Sequence, residues 1–273
     1  MESQSLLNNS AKYCTYDTAP SFLQGNPYIV YYYRINHSFC DVLKSIFLLH
    51  NQTLNIYTHL GSAFLFLFFA FRFFPVFNIP ALVYLTVSVS LFVVSGIYHW
   101  FGCLSKQIYF TLTKIDLAFI TFQIMASIFS TVCVVFSFSI LLEIIMTSFG
   151  VVLASISLFL LVFKSEVFSD PNNAKLRALI FGAQVLLLPF SVAILFVLHL
   201  LQARVSWFIF ELCLYTLGAL IYVCRFPERF VPRTKFFLKF FGVIHSHVLF
   251  HFCVSLAVGC HWLFLFDNNS NQG

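Results

Sequence analysis

Three histidines and one aspartate carry the chemistry that this chain can do. His247 and His251 stand four residues apart in "HSHVLFH" (245–251). On a helix that spacing puts both rings on one face, about 6 Å apart along the axis, a natural arrangement for a pair of metal ligands. His99 ends "SGIYH", and Asp116 follows it in "KIDLAF". Zinc favours imidazole nitrogen, and three histidines leave the fourth tetrahedral position for water. Three neutral ligands leave the cation's charge undiminished, so the pKa of that water can fall to about 7. Asp116 would then hold the water, as general base or as hydrogen-bond acceptor, and Ser95, one turn before His99, would support the site. The chain has nine histidines, so one such pair arises easily by chance. Spacing alone leaves open a bland reading, in which each is a satisfied hydrogen-bonding residue.

The elements that must position these groups are membrane helices. The chain has 273 residues, 60% hydrophobic and 9% charged, with a mean hydropathy of +0.90, outside the range of soluble domains. A bilayer core of about 30 Å needs roughly 20 apolar residues per helix. Seven segments qualify: 57–77, 79–101, 115–141, 144–163, 178–201, 205–224 and 243–266. The third and fourth form one apolar run, divided here near Glu143. Cytoplasmic loops are enriched in Lys and Arg. With the N-terminus inside, all but Arg72 and Arg204 of the fifteen basic residues lie on the inner side. The expected fold is therefore an all-α seven-transmembrane bundle, N-terminus cytoplasmic and C-terminus extracellular or lumenal. That topology brings His99, Asp116, His247 and His251 to one depth near the cytoplasmic side. Intramembrane ionisable groups are costly and normally face the bundle interior with a partner.

Residues 1–55 read as a cytoplasmic segment and residues 56–266 as the zinc-binding membrane domain, with 267–273 a disordered tail. In "CDVLKSIFLL" (40–49) apolar residues gather on one face, suggesting a short interfacial helix before the first span. The first twenty residues lack the features of a signal peptide. The eight cysteines are scattered without a CxxC pair, so free thiols are expected rather than disulfides. His59 begins the first span and is placed to line the cavity. His245 is assigned to the solvated interface, and His199 and His261 to structural or exposed positions near the outer ends. Arg72 and Arg204 are expected to snorkel outward. Sequons occur at Asn8, Asn36, Asn51 and Asn268.

Five blocks then bear a resemblance. "HNQTLNIYTHL" (50–60), "SGIYHWFGCLS" (95–105), "KIDLAFI" (114–120), "RFPERFVP" (225–232) and "HSHVLFH" occur in order. In this the chain resembles the progestin and adipoQ receptor family, related more distantly to haemolysin-III-like membrane proteins, over roughly residues 24–262. The resemblance implies a seven-helix bundle with zinc near the cytoplasmic side. Residue by residue, His99, His247 and His251 match its zinc ligands, Asp116 the holder of the zinc-bound water and Ser95 the site serine. Gln52 stands for the usual Glu, Tyr57 for Trp, Val248 for Gln and Leu117 for an aromatic residue. None of these is a ligand position, although they weaken the transfer of any particular ligand or partner.

Two functions follow as expectations. One is a receptor-like membrane protein of the Golgi or plasma membrane whose zinc site hydrolyses a lipid amide such as ceramide; a steroid or protein ligand is also compatible, nucleic acid is not. The other is a non-catalytic receptor or scaffold with structural zinc. A proton relay or transporter ranks third, because the outer half of the spans is expected to hold no charged residue to continue a path.

Overall fold

The computed structural model describes residues 12–73, 78–164, 167–168, 173–197, 205–232 and 234–269. Its N-terminal part is a small polar cap. Strand β1 (Tyr13–Cys14) pairs antiparallel with β2 (Tyr33–Arg34), and Ala19, Ile29 and Tyr33 form a minor core between them. The expected short helix is present as α1 (Phe39–Ser45). It starts at a capping box in which Ser38 and Asp41 each satisfy the other's backbone N–H. Phe39 and Leu43 of this helix, and Phe47 to Leu49 beyond it, are exposed apolar side chains.

Helices follow as α2 (Thr53–Phe73), α3 (Ile79–Phe101), α4 (Lys106–Val135), α5 (Ile140–Phe163), α6 (Ala174–Val185), α7 (Leu187–Val197), α8 (Ser206–Cys224), α9 (Lys235–Phe240) and α10 (Ser246–Asn269). Among the described residues six of them, α2, α3, α4, α5, α8 and α10, are long and apolar enough to cross a membrane. The chain is thus an all-α polytopic membrane protein. Its exposed surface carries Phe64, Phe71, Ile140, Phe159 and Leu220, as expected where the surrounding solvent is hydrocarbon.

Four boundaries differ from the sequence expectation. The apolar run from 115 to 163 breaks at Phe136–Ser139 rather than near Glu143, because Ser139 accepts from the Leu142 N–H and caps α5. Glu143 instead lies in the first turn, where a carboxylate suits the helix dipole. Helix α4 also starts earlier, at Lys106, under a Ser105 cap. The segment expected as one span at 178–201 is divided into α6 and α7 around Leu186. Pro189 removes the N–H that would bond back to residue 185 and crowds that carbonyl, which breaks the helix there. Residues 198–204, with His199 and Arg204, lie outside the described residues. At the C-terminus the last helix continues through Asp267–Asn269, the start of the expected tail.

The bundle is held by α10 against α8 and α2, α3 against α2 and α4, and α4 against α5. Two glycines permit close approaches near the histidine-bearing helices. A Cβ at Gly96 would lie 2.7 Å from Leu60 Cδ2, and one at Gly218 would lie 2.9 Å from Cys253 Cβ. Small residues let membrane helices meet backbone to backbone. Gly96 brings α2 onto α3 beside His59, and Gly218 brings α8 onto α10 beside Phe250.

Candidate metal centre

Four imidazoles meet where α2, α3 and α10 converge. His59, His99 and His251 are buried, and each has a ligand nitrogen within 4.8 Å of the other two. Their ring centroids are 5.4 Å apart for His59–His99, 4.9 Å for His99–His251 and 3.9 Å for His59–His251. His247 stands beside this set, with its ring 4.2 Å from His251 and 5.2 Å from His99. All three expected ligands are therefore in one cluster. The tightest trio, however, contains His59 in place of His247.

The donor set fits a metal such as zinc. Both nitrogens of His59 and the Nδ1 atoms of His247 and His251 are buried without a hydrogen-bond partner among the described residues. Native interiors rarely leave buried polar atoms unpaired, and several neutral imidazoles aimed together are the ligand type zinc favours.

His99 is oriented by a residue that motif reasoning passed over. Its Nδ1 lies 2.8 Å from Gln52 Oε1, and Asn55 Nδ2 donates to the same oxygen at 2.7 Å. An amide oxygen only accepts, so Nδ1 carries the proton and Nε2 is left bare for a ligand bond. Gln52 stands at the position where the family resemblance leads one to expect Glu, so the orienting partner is neutral rather than anionic. The sequence signal was the "HNQTLN" block itself, read only as a departure.

Asp116 and Ser95 also meet. Ser95 Oγ donates to Asp116 Oδ1, leaving Oδ2 available. Ser95 is one turn from His99 on α3, so this contact ties the Asp116 carboxylate of α4 to the turn of α3 that precedes His99.

A polar shell anchors this end of the bundle. Arg34, 2% exposed, donates to Ser45 Oγ at 2.7 Å and to the His99 carbonyl at 2.9 Å, placing a cation at the C-terminal end of α3, where the dipole favours it. His50 is buried and accepts from the Gln52 N–H at 3.1 Å. Burial, and then the Arg34 charge, push its pKa down to about 2. His245 is not at a solvated interface: it is 1% exposed and its Nε2 lies 3.0 Å from the Asn51 carbonyl. The Asn51 sequon is likewise buried. Glu228 accepts from the Ser246 N–H and Oγ and from Asn26 Nδ2. It thereby caps α10 and ties the N-terminal segment to it.

At the opposite end the expectation of an uncharged outer half fails. Glu211 on α8 is 0% exposed and sits 2.7 Å from His261 Nδ1 on α10. His261 is thus buried and paired. A lone acidic residue inside "SWFIFELCLY" gave no spacing from which its partner could be read.

This arrangement of apolar helices around a buried imidazole cluster defines a polytopic membrane protein with a candidate metal site. Comparison with known families narrows the class. The haemolysin-III-related family profile matches residues 47–262. Heptahelical transmembrane protein 1 of Arabidopsis thaliana is 31% identical, over 91% of this chain and 78% of its own. The ADIPOR-like receptor IZH2 of Saccharomyces cerevisiae is 29% identical, over 90% and 81%. The adiponectin receptor protein of Drosophila melanogaster is 28% identical, over 93% of this chain and 59% of its own. The chain belongs to the haemolysin-III-related family, and its relatives include proteins named adiponectin receptor protein and progestin and adipoQ receptor-like protein 1.

Proposed function

We propose that this is a receptor-like protein with seven spans, N-terminus cytoplasmic and C-terminus extracellular or lumenal, in the Golgi or plasma membrane, whose histidine cluster binds zinc and hydrolyses a lipid amide such as ceramide. The observation that carries this reading is the convergence of buried imidazoles beside the Ser95–Asp116 pair. Helices α6 and α7 together supply the remaining crossing. His99, His247 and His251 would hold the metal, with His59 as fourth neighbour or replacement. Zinc bound there would polarise the amide carbonyl and acidify a water. Asp116, fixed at Oδ1 by Ser95, takes the water's proton at Oδ2 and returns it to the leaving amine. Gln52 keeps the bare nitrogen of His99 turned inward. The apolar helices admit a substrate with long acyl chains from the bilayer.

Metal analysis of the purified protein, together with fatty-acid release from ceramide, tests both parts. Wild type should retain about one equivalent of zinc and release fatty acid, while Asp116→Ala keeps the metal and releases none. Metal-loaded wild type that hydrolyses no ceramide leaves the second reading, a receptor or scaffold. The tie that the cluster makes between α2, α3 and α10 favours that reading, because a metal there would serve folding.

A further inference from the structure

A groove beside the starts of α2 and α10 takes no part in the metal chemistry. Tyr32, Leu49, Leu54, Lys239, Phe240 and Ile244 are among its lining residues, and it holds about 360 Å³, the size of a small-molecule site. Leu54 is the second residue of α2, and Ile244 stands two residues before α10. Both helices are apolar enough to cross a membrane, so the groove lies where two such helices begin, at headgroup level.

Its walls are apolar and its rim is cationic. Leu49, Phe236 and Phe240 are exposed, and the rings of Phe236 and Phe240 stack with centroids 6.4 Å apart. Helix α9 reads KFFLKF, which sets Lys235 and Lys239 one turn apart on one face. Both lysines are exposed, and neither pairs with a carboxylate among the described residues. No acidic side chain lines the groove.

Tyr32 is its strained member. Its φ is 72°, in the left-handed region that a bulky residue seldom adopts. The Asn51 N–H holds this backbone by donating to the Tyr32 carbonyl at 3.1 Å. Space for the ring comes from Gly242, where a Cβ would lie 3.1 Å from Tyr32 Cδ2. Strained residues of this kind gather at ligand clamps.

We propose that this groove binds one anionic phospholipid. Its acyl chain lies along Leu49, Phe236 and Phe240, and its headgroup meets Lys235 and Lys239. Lysine stems can follow an apolar wall while their ammonium groups stay at the interface. A net negative headgroup answers the two charges, whereas a zwitterionic one brings no net charge to them. With the N-terminus cytoplasmic, as proposed above, the groove faces the leaflet that carries anionic lipid. Binding itself depends neither on that orientation nor on a catalytic metal centre.

The test is native mass spectrometry of the full-length protein with equimolar phosphatidylserine and phosphatidylcholine, read as the ratio of the two bound. Wild type should retain one phosphatidylserine in preference. Lys235→Gln with Lys239→Gln should reduce that preference about 5-fold for each lysine removed. Both positions are exposed, so the fold is undisturbed. Leu49→Trp, also at an exposed position, fills the groove and should lower lipid retention with both lysines in place. A wild type without preference, a preference unchanged in the double variant, or retention unchanged in Leu49→Trp overturns the proposal. Several loosely held anionic lipids with no single one retained would show surface attraction only and overturn it too. A dimer that Phe236→Ala breaks, with no lipid preference, would give the face to a second copy of the chain instead.

Discussion

The two ends of this bundle solve the problem of burying histidine differently. At one end His59, His247 and His251 have nitrogens without a hydrogen-bond partner among the described residues. At the other, His261 is bonded at both nitrogens by Glu211 and Ser130. Unpaired imidazoles that face one another are prepared for a ligand, whereas a fully bonded imidazole holds helices together. Burial alone separates neither case. What separates them is where the lone pairs go.

Substitutions should divide along the same line. The largest effect is expected for His99→Ala, which should abolish metal retention, measured by elemental analysis. His59→Ala against His247→Ala then decides which ring completes the set. Next comes Asp116→Asn: metal kept, and hydrolysis lowered about 10²–10⁴-fold in a fatty-acid release assay. At the opposite end Glu211→Ala strands His261 and should cost about 3–5 kcal/mol in detergent unfolding, with metal content unchanged. Loss of metal in that variant would erase the distinction between the two ends. Gln52→Ala removes only the orienting acceptor, so competition with a chelator should report metal affinity about 10–100-fold weaker.

The smallest effect concerns pH. The folded-state pKa of His50 is about 2, below the ordinary 6.5 or so. Below that ordinary value the unfolded chain takes up a proton that the folded chain refuses. Stability therefore falls with acidification, by about 2 kcal/mol from this residue between pH 6.5 and 5. The unfolding midpoint of His50→Gln should depend less on pH than wild type over that interval.

Much of this was legible in sequence because hydrophobic length and charge asymmetry are local signals. The second span, 79–101, falls on α3 residue for residue. His99, His247 and His251 were brought to one layer by topology alone. Breaks governed by single residues were harder: one serine cap at Ser139 outweighed the continuity of the apolar run, and Pro189 divided what hydropathy joined. Least legible were partnerships between distant helices. His59 joins the cluster because Gly96 lets α2 press on α3, and His261 meets Glu211 fifty residues away. Such pairs leave no periodic trace in the sequence.

Glu228 has one further consequence. By gripping Asn26 and the start of α10 together, it makes the cap and the histidine-bearing helix a single mechanical unit. A protein that docked on the N-terminal segment and pulled it aside would tug the same rod that carries His247 and His251. Engagement at the surface would then be felt among the imidazoles with no intervening hinge.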